Sequence, residues 1–184
     1  LFFVLIMKGT ADTASEALIA GFAFATYMQM FSTATGRWVK ELLLPYVYLV
    51  PSPPFAKLLA ICRENLEKVC LEAVLLFVIM GLLLGATPLQ IAGCILARIS
   101  FGLLFMAGNI LTERLVGSLS SKVLVMFLYM LILLVVAAPG IVLAIVAGSL
   151  AGEALGFVAA MGVLTAWNLL AGLLIAFLCR NILN

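Results

Sequence analysis

Arg98 is the residue of this 184-residue chain whose position most demands a chemical explanation. It follows Pro88 by ten positions inside an apolar run. At about 1.5 Å per helical residue that is about 15 Å, near the middle of a bilayer. A charged side chain at that depth costs about 3 kcal/mol or more unless it is paired or hydrated. Two readings follow: a pathway or substrate contact facing the bundle interior, or a structural interhelical bond or snorkelling side chain. Glu72, on the preceding apolar segment, is the candidate acidic partner. Asn168, just after Trp167, is a second mid-membrane polar group, of the kind that usually joins helices. Catalytic chemistry finds no footing. The chain has no histidine, which removes Ser–His and Cys–His nucleophiles and histidine metal ligands. No GxxxxGK[ST] stretch occurs, so the chain itself carries no ATP-binding P-loop. Cys62, Cys70, Cys94 and Cys179 form no CxxC pair and read as small buried or interfacial hydrophobes. No cofactor, metal or nucleic-acid partner is implied.

The elements that must position Arg98 are membrane helices. Hydrophobic residues make up 66% of the chain and charged residues 10%, against about 25% charged in a soluble domain. Mean hydropathy is +1.33. Apolar runs long enough to cross a hydrocarbon core of about 30 Å recur along the sequence. The expected fold is an all-α polytopic helical bundle in one transmembrane domain, 1–184. It should hold five complete transmembrane helices, plus the end of a truncated first one in the apolar stub 1–7.

The complete spans are expected at 15–35, 70–86, 88–112, 122–149 and 155–178. The first carries Gln29 and a Ser/Thr cluster, which suits burial among other helices. Pro88 is placed as the first residue of its helix, where its missing amide costs nothing. Residues 113–121 read as a loop. The apolar run 122–149 has 28 positions, about 42 Å of helix, too long for a straight crossing. Pro139 and Gly140 interrupt it, so the helix is expected to bend or end there, as a hinge or with 140–150 as a short re-entrant piece that could gate the outer face; the alternative is one long, tilted, kinked helix with no gating role. Gly148, Gly152 and Gly156 could form a packing face or simply add flexibility.

Residues 36–69 stand apart. They hold Arg37, Lys40, Lys57, Arg63 and Lys68, five of the ten basic residues, and Pro45, Pro51, Pro53 and Pro54, four of the six prolines. From Phe55 onward, Leu58, Leu59, Cys62, Leu66 and Val69 trace one apolar face of a helix, which can lie in the interface or run directly into the next span. With this segment inside, eight basic residues face the cytoplasm and Lys8 alone lies outside. That bias places the protein in the cell membrane with a cytoplasmic C-terminus.

Several stretches together, WVKELLLPYVYLVPSPPFAKLL, GATPLQI, ISFGLLFMAGNIL, SSK at 120–122, APGIVLAI and WNLLAGLLIAFLCRNIL, resemble the bacterial ABC exporter membrane (permease) family over roughly residues 36–184. The resemblance implies a six-span permease half, a homo- or heterodimer of such halves, and a separate ABC ATPase subunit. On that likeness 36–69 is a cytoplasmic coupling segment, with ATPase docking through Lys40, Glu41, Pro45, Tyr46, Tyr48, Pro51, Pro53 and Phe55. Arg98 interrupts a stretch expected to be neutral, so its role is not inherited from the family. The alternative is a non-transporting membrane assembly or sensory protein that uses the same loop as a protein dock.

Overall fold

Glycine and proline punctuate the apolar runs into five α-helices among the described residues. The computed structural model describes residues 14–35, 54–116 and 122–179. Helix α1 spans Ala14–Thr35, α2 Pro54–Leu84, α3 Pro88–Val116, α4 Lys122–Leu150 and α5 Gly152–Leu178. The all-helical expectation is met. Three of the helices, α3, α4 and α5, are long and apolar enough to cross a membrane. Helix α2 is long, but Glu67, Lys68 and Glu72 fall inside the 18-residue window ending at Leu84.

The α2–α3 turn is written locally. Gly85 takes φ +68, a left-handed conformation that suits glycine at a helix end. The Ala86 amide donates back to the Gly81 carbonyl at 2.9 Å. Thr87 and Gln90 then cap α3 reciprocally. The Thr87 amide donates to Gln90 Oε1 at 3.0 Å, and the Gln90 amide donates to Thr87 Oγ1 at 3.4 Å. This is a capping box, and Pro88 occupies the first helical position as expected. The α4–α5 turn repeats the device with Gly152 at φ +73.

Helix α3 is the hub and touches all four others. In its most apolar window 61% of residues are buried, against 17% in α4 and 33% in α5. Its α5 side is fixed by Gly93 against Met161 and Gly172 against the Leu104 backbone, so α3 and α5 run parallel. Its α2 side is fixed by Ile91 against Gly81 and Gly102 against Val69, so these two are antiparallel. Helix α1 lies parallel to α3, with Gln29 at Gly102 and Thr33 at Asn109. Phe22 of α1 stacks on Phe77 of α2 and Phe101 of α3, each at a ring-centroid distance of 5.9 Å. In lipid, such close packing and side-chain hydrogen bonds take over the role that water exclusion plays in soluble proteins.

Helix α4 turns most of its surface outward, with Val123, Phe127, Leu134, Val135, Val142 and Ile145 exposed. That suits contact with hydrocarbon chains. Its 29 residues make about 44 Å of helix, which a tilt accommodates.

The helices decide between or correct sequence readings at four places. First, α4 is continuous from Lys122 through Pro139 to Leu150. The version with an end at Pro139 and a re-entrant 140–150 is overturned, because residues 140–150 extend the same helix; the alternative of one long helix is what forms. Second, α3 runs on to Val116, so residues 113–116, expected in a loop, are helical. Third, α1 buries only one face. Ala17, Leu18, Phe22, Ala25 and Gln29 are inside, while Ile19, Phe24, Tyr27 and Met28 are exposed. Fourth, Gly148 and Gly156 face each other where α4 and α5 leave their turn. A Cβ on Gly156 would lie 2.6 Å from the Gly148 carbonyl oxygen. Of the two readings of the glycine series, the packing face holds for Gly148 and Gly156, with Gly152 in the turn.

Candidate functional site

Two features of the described residues bear on function. The first surrounds Arg98 on the side of α3 that meets α1 and α2. Arg98 is 6% exposed, and neither Nε nor Nη1 has a hydrogen-bond partner. Its one-turn neighbour Gly102 is where the Gln29 side chain comes to rest. A Cβ at Gly102 would sit 2.8 Å from Gln29 Nε2 and 2.8 Å from Val69 Cγ1. Gln29 is 4% exposed, and both ends of its amide are unpartnered. Thr26, one turn earlier on α1, also has a buried hydroxyl without a partner. An unpartnered buried polar group costs about 1–3 kcal/mol, more when it is charged.

Glu72 was the acidic partner expected for Arg98. The antiparallel register places it at Arg98's level, and its charge attracts the guanidinium. It forms no ion pair with Arg98, however. Glu72 is exposed and lies 4.0 Å from Lys68 on its own helix. Arg63 and Glu67 make a shorter exposed pair at 2.7 Å. Exposed i, i+4 pairs of this kind contribute only about 0.3–0.5 kcal/mol. Arg98 is thus buried among the helices, and its counter-charge stands off.

Asn168 lies on a different side of α3. The parallel α3–α5 register puts it at the level of Ser100. It is fully buried, and neither side-chain atom has a hydrogen-bond partner. The interhelical bond expected of it is therefore not made. Other residues make such bonds instead. Asn109 Nδ2 donates to the Thr33 carbonyl at 2.9 Å. Tyr129 Oη donates to the Phe105 carbonyl at 3.3 Å. Arg114 Nη1 donates to the Leu178 carbonyl at 2.6 Å and so covers the last turn of α5. Sequence reasoning missed these three as fasteners. The available signal was an aromatic or amide tip inside an apolar run, which seeks a partner when buried.

The second feature is the proline turn of α4. Pro139 has no amide to give the Val135 carbonyl, and its ring crowds that turn. The neighbouring Val136 carbonyl accepts a hydrogen bond from Trp167 Nε1 of α5 at 3.0 Å. The Trp167 ring also packs directly against Gly140, where a Cβ would collide with it. Pro139 itself is exposed and Gly140 is buried. The irregular turn is thus held from α5.

Of the residues expected to dock a partner, Lys40, Glu41, Pro45, Tyr46, Tyr48, Pro51 and Pro53 lie outside the described residues, and Phe55 falls in the first turn of α2. That helix continues without a break from Pro54 to Leu84. The helical part of 36–69 therefore joins the interior residues Ala73, Phe77 and Met80 in one rod.

Apolar helices around a core with unpartnered polar groups define a helical membrane protein. The family model described as "Putative ABC exporter" matches residues 1–184, and the chain belongs to that family. No curated protein and no solved structure matches it.

Proposed function

We propose that the chain is the membrane permease subunit of an ABC exporter, which moves a substrate out of the cytoplasm when a separate ATPase subunit binds and hydrolyses ATP. Family membership supports the class. The observation that carries the mechanism is the unbroken helix α2. Its first half holds Arg63, Glu64, Glu67 and Lys68, all exposed, and its second half packs Ala73, Phe77 and Met80 against the core. A rigid helix transmits displacement along its length without loss. Movement imposed by an ATPase on 36–69 would reach α1 and α3 through Phe22, Phe77 and Phe101.

In this reading 36–69 is cytoplasmic and docks the ATPase through Lys40, Glu41, Pro45, Tyr46, Tyr48, Pro51, Pro53 and Phe55. The C-terminus is cytoplasmic, the protein sits in the cell membrane, and two permease halves form the working unit. Pro139 and Gly140 act as a hinge within a continuous helix, gated by the Trp167 contact. ATP hydrolysis belongs to the partner, so this chain is not catalytic by itself. The test is purification of the full chain with its ATPase, followed by ATP-driven transport in vesicles. Variants at Tyr46 and Tyr48 should uncouple hydrolysis from transport.

A further inference from the structure

Arg98, Gln29 and Thr26 present buried polar atoms without partners to one region between α1, α2 and α3. They are placed there by register. Gln29 rests at Gly102, one turn from Arg98, and Thr26 precedes Gln29 by one turn on the same face of α1. The set is rich in donors: guanidinium, amide and hydroxyl. Its one strong charge is positive and desolvated, and a guanidinium of that kind selects carboxylate or phosphate oxygens. The surroundings are apolar. The rings of Phe22, Phe77 and Phe101 lie beside the polar set, and α1 exposes Phe24 and Met28 while α2 exposes Leu71 and Leu75.

We propose that this region binds the acidic head group of an amphiphile, a carboxylate or phosphate carried on an apolar chain. Arg98 neutralises the head group, Gln29 and Thr26 add hydrogen bonds, and the chain lies along the exposed apolar flanks of α1 and α2. Glu72, level with Arg98 on α2 but unpaired with it, puts a negative charge on the same side and so weakens binding of an anionic head group. The head group can belong to a resident bilayer lipid or to a free amphiphile. This deepens the exporter reading by naming a ligand class. Its assay contains no ATPase, so a missing ligand and a missing ATPase partner are separate failures.

The experiment uses the full chain purified in a neutral maltoside detergent. It is titrated separately with phosphatidylglycerol, oleate and phosphatidylcholine, with binding read by native mass spectrometry and by the shift in thermal unfolding. The expected result is saturable binding of an acidic probe, with phosphatidylcholine about tenfold weaker. Arg98→Gln should weaken binding by about tenfold, Arg98→Lys less, and Glu72→Gln should tighten it. Saturation by phosphatidylglycerol but not oleate assigns the site to a bilayer lipid, and the reverse assigns it to a free amphiphile. If Arg98→Gln does not fold, Gln29→Leu replaces it and should weaken binding by about threefold. Equal binding of acidic and neutral probes, or no loss in these variants, overturns the proposal. So does equal thermal destabilisation by Glu72→Gln and Arg98→Gln without any binding, which would make the two residues an internal ion pair.

Discussion

Trp167 of α5 holds the carbonyl of Val136 on α4 at 3.0 Å, one turn before the point where Gly140 lies under the same indole ring. This pairing braces α4 in the turn next to Pro139. Pro139 frees the Val135 carbonyl, whereas the indole holds the next one, so Trp167 steadies the turn without replacing the lost bond. Trp167→Phe keeps the ring and removes the N–H. It should lower stability by about 1–2 kcal/mol, measured as the thermal unfolding of detergent-purified protein. Gly140→Ala should destabilise by about 1–3 kcal/mol, because its methyl meets the ring. Unchanged midpoints in both variants would remove the contact from any gating role.

The α4–α5 hairpin offers an internal comparison. Gly156→Ala drives a methyl toward the Gly148 backbone oxygen, which cannot rotate away, whereas Gly162 has nothing within 4 Å of its would-be Cβ. Gly156→Ala should therefore destabilise, while Gly162→Ala should stabilise by up to about 1 kcal/mol through helix propensity. Equal effects in thermal unfolding would mean that the helices do not cross closely at Gly148 and Gly156.

Arg114 places a positive group on the final carbonyls of α5, at the Leu178 oxygen. Arg114→Gln removes the charge from that helix end. The expected loss is about 0.5–1 kcal/mol, concentrated in the last turn of α5. Amide hydrogen exchange near Ile175 to Cys179 should speed up while the middle of α5 stays protected.

The ends of the helices were more legible in the sequence than their middles. Thr87, Pro88 and Gln90 define the start of α3 within four residues, so local reading placed Pro88 correctly. The turn next to Pro139 is braced by Trp167, 28 positions away, and no local rule could show that the helix continues. Gly148, Gly152 and Gly156 carry the spacing of a packing face, but only the fold assigns the turn to Gly152 and the crossing to the other two. Arg98 stood out because a charge in an apolar run must be accommodated. Its neighbours Gln29 and Thr26 come from another helix, and their juxtaposition appears only once α1 lies beside α3. Asn168 shows the reverse case. Its type and depth suggested an interhelical bond that its surroundings do not provide.

Orientation can be tested by cysteine labelling in intact cells, with the native cysteines replaced. Thr87→Cys lies in the exposed α2–α3 turn and should react with an impermeant reagent from outside. Ser52→Cys should react only after the membrane is opened. Ready labelling at position 52 from outside would invert the topology and place the coupling segment on the wrong side for an ATPase.

The proposed role, the membrane half of an ATP-driven exporter, is open to direct test. The most direct measurement is purification of the full chain from its native membranes in mild detergent, followed by ATP hydrolysis by the purified assembly in lipid nanodiscs. A stoichiometric ATP-binding subunit and measurable hydrolysis are expected. Substitution of Tyr46 and Tyr48 together should lower recovery of that subunit while leaving the chain folded. A folded, membrane-inserted chain that repeatedly purifies without any ATP-binding subunit, and without ATP hydrolysis, would contradict it.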